Sequence, residues 1–110
     1  MEEQEESNST ELGGNITLVG FKVIDKAELV VVKKIVGSYA RKLSDTVHGF
    51  EGISLNLKPV HKTEEGHPKY ELHAKAIING KPLVSEVVER NLFMGLDELL
   101  KKIMTLASKE

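Results

Sequence analysis

The sequence predicts an α+β domain of order β-α-β-β-β-α, a four-stranded sheet with two helices packed on one face. Three observations carry this. First, two stretches repeat apolar residues with the period of a half-buried strand. Ile53, Leu55 and Leu57 alternate with Ser54, Asn56 and Lys58, and Tyr70, Leu72, Ala74, Ala76 and Ile78 alternate with Glu71, His73, Lys75 and Ile77. Second, Asn79-Gly80 supplies two residues that accept the positive φ of a tight hairpin turn. Third, the stretches opened by Asp25 and Asn91 repeat apolar residues at helical spacing. Helices and strands of this kind each have one apolar side, and two layers bury both.

In chain order, residues 15–23 (NITLVGFKV) are rich in β-formers and read as the first strand. Asp25 with Glu28 three residues on is an N-terminal capping pattern. Leu29, Val32, Val36, Tyr39 and Leu43 form the buried stripe of the first helix, which Ser44-Asp45 and Gly49 end. Residues 63–68 (TEEGHP) join the second and third strands. With Lys62 facing Lys69, Leu57 faces Ala74 and Leu55 faces Ala76, so apolar residues meet on one face. The Asn79-Gly80 turn sets Ala76 opposite Leu83, Ala74 opposite Ser85 and Leu72 opposite Val87 along a fourth strand, 81–90. Pro82 marks that strand as an edge, because proline has no N–H to give a central ladder. Asn91 caps the last helix, with Phe93, Leu96, Leu99, Leu100, Ile103, Leu106 and Ala107 as its stripe.

The 110 residues fit one domain, and an apolar content of 40% suffices for one small core. Without cysteine there is no disulfide framework and no thiolate metal site. The longest apolar run, 29–32, is too short to cross a bilayer, and the acidic start is unlike a signal or transit peptide. The expected setting is cytoplasmic, with no membrane partner. Residues 1–14 hold five Glu and no Lys or Arg, lack apolar periodicity and end in Gly13-Gly14. They read as a disordered acidic tail. Residues 15–110 hold all fifteen basic residues against twelve acids, a charge of +3.

No nucleophile elbow, phosphate-binding loop, zinc-protease motif or dinucleotide fingerprint occurs, so binding is expected rather than catalysis, with no cofactor and no small-molecule substrate. In the register above His73 faces Lys58, and His61 points to the opposite side of the sheet. A metal shared by these two is not expected, and His48 and His67 read as surface residues. Gly49-Phe50-Glu51-Gly52 spells a KH-type G-x-x-G, but it joins a helix to a strand and carries an acid, so it reads as a plain turn. The basic residues are more informative. On a helical period Lys26, Lys33, Lys34 and Arg41 share one flank of the first helix. Lys101, Lys102 and Lys109 lie off the buried stripe of the last. Packed side by side, the helices could line one groove with cations, which is how proteins track phosphates without reading bases.

The stretch 76–100 (AIINGKPLVSEVVERNLFMGLDELL) resembles the ribosome hibernation-promoting factor and ribosome-associated inhibitor family. Asn79-Gly80, Asn91, Phe93 and Leu96-Asp97 fall, without a gap, where that family has its hairpin turn, polar cap, aromatic and Ile-Asp pair. Lys102-Ile103 resembles its Lys-Leu. Asn15-Ile16-Thr17, Asp25-Lys26-Ala27 and Lys42-Leu43 resemble its first strand, helix start and helix end. There are departures: Lys101 stands where the family often has Asp, a basic position near Thr105 is absent, and the acidic tail has no counterpart. The resemblance implies a short-form factor whose domain, 15–110, binds rRNA in the tRNA and mRNA channel of the small ribosomal subunit and holds idle ribosomes inactive. The RNA-binding residues would be Lys26, Lys33, Lys34, Arg41, Lys42, Lys101, Lys102 and Lys109, and the domain would be a monomer in isolation. The alternatives are a double-stranded-RNA-binding-like module, against which Asn91-Leu92-Phe93-Met94 lacks the lysines of its last helix start, and a protein-interaction scaffold using the sheet face.

Overall fold

The computed structural model describes residues 9–11, 15–60 and 69–109. In chain order the elements are β1 (Ser9–Glu11), β2 (Ile16–Val19), a 3₁₀ turn (Phe21–Val23), α1 (Lys26–Thr46), β3 (Phe50–Val60), β4 (Lys69–Ile78), β5 (Lys81–Glu89) and α2 (Leu92–Ala107). The sheet runs β1-β2-β3-β4-β5. Strands β2 and β3 are parallel and the other pairs antiparallel. A parallel pair needs a long crossover, and α1 supplies it. The predicted α+β order thus holds as β2-α1-β3-β4-β5-α2. Among the described residues no helix is long and apolar enough to cross a membrane.

Capping chemistry sets the helix starts. The Asp25 carboxylate accepts from the Glu28 amide at 2.8 Å, and the Asp25 amide donates back to the Glu28 carboxylate. Such a reciprocal cap is worth about 1 kcal/mol. Asn91 accepts from the Met94 amide at 3.0 Å and starts α2 in the same way. The helices cover the sheet face that carries Leu18, Leu55, Leu72, Ala74, Ala76 and Val87, all buried. Small residues let α2 sit close to β4 and β5. A Cβ on Gly95 would meet Leu72 Cδ1 at 2.9 Å and Glu89 Cβ at 3.2 Å. Ser85, on β5, donates to the Leu99 carbonyl at 3.0 Å.

Four expectations need correction. Of the segment 1–14 read as a disordered acidic tail, Ser9–Glu11 instead form β1, and the other residues lie outside the described ones. The cause is the edge of β2, whose outward N–H and C=O groups otherwise lack partners. The first strand ends at Val19, not 23. Gly20 takes φ 84° and lies so close to the Leu57 carbonyl that a side chain would collide with it. The β3–β4 register is shifted by two residues: Leu55 faces Ala74, Leu57 faces Leu72, and His73 faces Asn56. An even shift keeps every side chain on its face, so the alternation alone could not detect it. The expected connection at 63–68, with His61, Lys62 and His67, lies outside the described residues. On α2, Phe93 packs half-buried against the core beside the buried Leu92, while Leu106, expected in the stripe, is 36% exposed.

The β4–β5 hairpin matches its expectation pair by pair: Ala76 with Leu83, Ala74 with Ser85, Leu72 with Val87. Asn79 has φ 53° and Gly80 φ 78°. A side chain at Gly80 would meet nothing within 4 Å, so only backbone strain penalises it. Gly80→Val should cost about 1–2 kcal/mol, lowering Tm by on the order of 5–10 °C. Gly80→Asn should cost much less, since Asn tolerates positive φ. Equal losses by thermal melting would show that the strain at this turn is not what limits it.

Candidate nucleic-acid interface

Helix α1 buries Val32, Val36, Ala40 and Leu43 against the sheet. Tyr39 leans to one side of that stripe, and its hydroxyl donates to Asp97 of α2 at 2.8 Å. The bond fixes which flank of α1 meets α2. At 100° per residue, Lys26, Lys33, Lys34 and Arg41 fall on the opposite flank. They look toward the β2 edge, where Arg41 shares a shallow pocket of about 340 Å³ with Asn15 and Ile16. None of the four forms an ion pair among the described residues.

The last helix shows a similar division. Lys102 donates to the Glu86 carbonyl of β5 at 3.3 Å, so its flank overlies the β5 edge. Lys109 follows the final turn and is exposed. Lys101 bonds Asp97 at 3.1 Å, beside the helix–helix seam. Lys42 lies over the Tyr39 ring, 5.5 Å from its centroid. The expected groove bordered by cations from both helices is therefore not what the packing makes. Only Lys42 and Lys101 approach the seam, and Lys101 is already paired there. Lys26, Lys33, Lys34 and Arg41 form an outer bank beyond α1, and Lys102 and Lys109 a second beyond α2. A helical wheel gives the flank but not which neighbour it faces.

The seam holds a polar latch that the sequence reading did not find. Tyr39 was legible as an apolar-stripe residue, and its hydroxyl was the signal that a partner should exist. The Tyr39 phenol is pushed up to about 12, first by burial and then by the Asp97 carboxylate that accepts from it. Asp97 is held below the usual carboxylate range by the Tyr39 hydroxyl and then by Lys101. Both shifts favour the pair as a neutral phenol with an ionised carboxylate.

The open face of the sheet suits nucleic acid less well. It presents Glu71, His73 and Glu86 as a connected set: His73 Nε2 lies 2.8 Å from Glu71 and Nδ1 3.3 Å from Glu86. Lys58 and Lys75 alternate with these acids, so no single sign of charge prevails. No Phe, Tyr or Trp lies on this face among the described strand residues to stack a base, and the His73 ring is held between Glu71 and Glu86.

The latch carries a signed pH dependence. Stability from the raised Tyr39 phenol is full below its ordinary value of 10.0 and is lost as pH rises through about 12. Stability from the lowered Asp97 is present above the ordinary carboxylate range and is lost as pH falls through its depressed value. An ultraviolet titration should show a phenol ionising at about 12 that Tyr39→Phe removes. Asp97→Asn should move it down without restoring the ordinary value, because burial is the larger cause. No movement in Asp97→Asn would mean that the bond is absent in solution. No protein-family model matches this chain, and neither does any curated protein.

Proposed function

We propose that this domain binds rRNA of the small ribosomal subunit, occupies the tRNA and mRNA channel and keeps idle ribosomes inactive. The observation that carries the reading is the motif series of 79–97 taken with its physical roles. Asn79-Gly80 turns the hairpin, Asn91 caps α2, Leu96 is fully buried and Asp97 latches α2 to α1. These are the positions at which the chain resembles the hibernation-factor family, set in the element order that the resemblance implies. Two separated banks of cations on the helical layer, all exposed but the half-buried Lys33, support it further. They suit phosphates on two strands or two turns of a folded RNA better than one strand lying in a groove.

A second reading, a protein-interaction scaffold, has one feature in its favour. Strand β5 is a sheet edge with Val84 62% and Val88 56% exposed, beside an open groove of about 560 Å³ against α2. An added strand from a partner would use such an edge.

Co-sedimentation with small subunits in sucrose gradients separates the two. On the ribosomal reading the protein comigrates at low salt and is released as salt rises. Lys34→Glu and Arg41→Glu should each flatten the log–log salt dependence by about 0.9 per lost duplex-like phosphate contact. The fold should persist, because both side chains are exposed. A protein that stays at the top of the gradient at low salt leaves the ribosomal reading without support. Variants that bind as the parent does place the contact elsewhere on the surface.

A further inference from the structure

The Gly49-Phe50-Glu51-Gly52 stretch, a plain turn by its sequence, meets the tip of the β4–β5 hairpin. Phe50 pairs with Ile78 and Gly52 with Ile77, so Glu51 is the extra residue of a bulge in β3. A bulge re-aims the side chain it carries. Here Glu51 turns to the hairpin, and the Gly80 amide donates to its carboxylate at 2.9 Å. The residues just before it hold Asn79. The Asn79 backbone amide donates to the Gly49 carbonyl at 2.8 Å, and its Nδ2 donates to the His48 carbonyl at 3.4 Å. The Asn79 side-chain amide lies so close to Gly49 that a side chain there would collide with it. Neither turn amide belongs to the β4–β5 ladder, whose last pair is Ile78 with Lys81. Both residues are exposed, and they form the chain's one Asn-Gly pair.

Asn-Gly is also the dipeptide with the least hindered route to deamidation. The Gly80 nitrogen, after losing its proton to hydroxide or a buffer base, attacks Asn79 Cγ. The new N–Cγ bond closes a succinimide ring, the bond from Cγ to Nδ2 breaks, and the nitrogen leaves as ammonia with a proton taken from water. Water then opens the ring at either carbonyl, giving aspartate or isoaspartate. We propose that Asn79 is a latent self-modification site, kept as the amide by the clamp of Glu51 and Gly49. Two physical effects do this. A carboxylate 2.9 Å from the Gly80 nitrogen opposes the negative charge that this nitrogen must carry to attack. Ring closure also requires Cγ to leave its staggered rotamer, and the contacts with His48 and Gly49 resist that rotation. The isoaspartate product has an extra methylene in the main chain and a charge beside Glu51. It therefore spoils the turn that sets the β4–β5 register.

This chemistry needs no ligand, so its test is independent of the ribosome experiment. The full-length parent, Glu51→Ala and Glu51→Gln are aged side by side in mildly alkaline buffer, and the parent is also aged unfolded in guanidinium chloride. Peptide mapping by mass spectrometry follows amide-to-acid conversion at Asn79, with isoaspartate separated from aspartate by chromatography. Circular dichroism checks that each folded sample stays folded. The folded parent should convert far more slowly than the unfolded one. Glu51→Ala should convert roughly fivefold faster than the folded parent, the factor that one hydrogen bond contributes on net. Glu51→Gln should fall between them, because it keeps an acceptor and loses the charge. If Glu51→Ala loses its fold, Glu51→Gln alone carries the comparison with the parent. Hydrogen exchange at the Gly80 amide reads the same clamp separately, since base removes the same proton, and it should quicken in the variants. A folded parent that converts at the unfolded rate overturns the proposal. So do folded variants whose Asn79 converts, and whose Gly80 amide exchanges, as the parent's does.

Discussion

The close seating of α2 on β4 and β5 is the contact on which the rest of the molecule depends. It is possible because the facing positions are small: Gly95 on the helix, Ala74 and Ala76 on β4, and Ser85 on β5. The hydroxyl of Ser85 turns an otherwise buried polar atom into a bond to the Leu99 carbonyl. With α2 held at this height, Leu96, Leu99, Leu100 and Ile103 are buried against the sheet. Asp97 is then carried to the side where Tyr39 can reach it. A methyl group at Gly95 would press on the tip of Leu72 and on the Glu89 side chain, so these must give way before the helix can keep its height.

That dependence explains the distribution of charge. The latch uses Asp97 and Lys101, and Lys42 stacks over the tyrosine, so the seam is electrically satisfied from within. Cations without such partners are left at the two outer margins. On the nucleic-acid reading proposed above, a domain arranged in this way would grip a polyanion from the sides and keep its helix–helix seam structural. The sheet's open face, with Glu71, His73 and Glu86 bonded to one another, adds no opposing field.

What could be read in the sequence follows from the reach of each signal. The β4–β5 register was legible because a two-residue turn leaves no freedom: once Asn79 and Gly80 take positive φ, every pair from Leu72–Val87 to Ile78–Lys81 is fixed. The β3–β4 register was not, because a long connection permits even shifts that cost no change of face. Both helix starts were legible from a side chain and an amide three residues apart. The strand end at Gly20 was hidden, since its cause is the Leu57 carbonyl, distant in sequence. The same holds for the candidate interface. Each basic flank was visible on a helical wheel, but which flank met which neighbour was decided by one hydrogen bond between Tyr39 and Asp97, 58 positions apart.

The bond from Lys102 to the Glu86 carbonyl has a consequence for how the molecule behaves in a crowded solution. An unprotected sheet margin invites strands from other chains, the route to fibrous or amorphous self-association. Here two outward positions of the β5 margin are blocked, which weighs against the added-strand reading. Glu86 offers its carbonyl outward and Lys102 occupies it. Pro82 has the same parity along the strand, so the donor it lacks falls on the same margin. On the proposed RNA reading the ammonium of Lys102 would have two duties. A polyanion that drew Lys102 away would unseal the margin and at the same moment cover that side of the molecule with its own bulk. The guard is needed most when nothing is bound, and that is when it is in place.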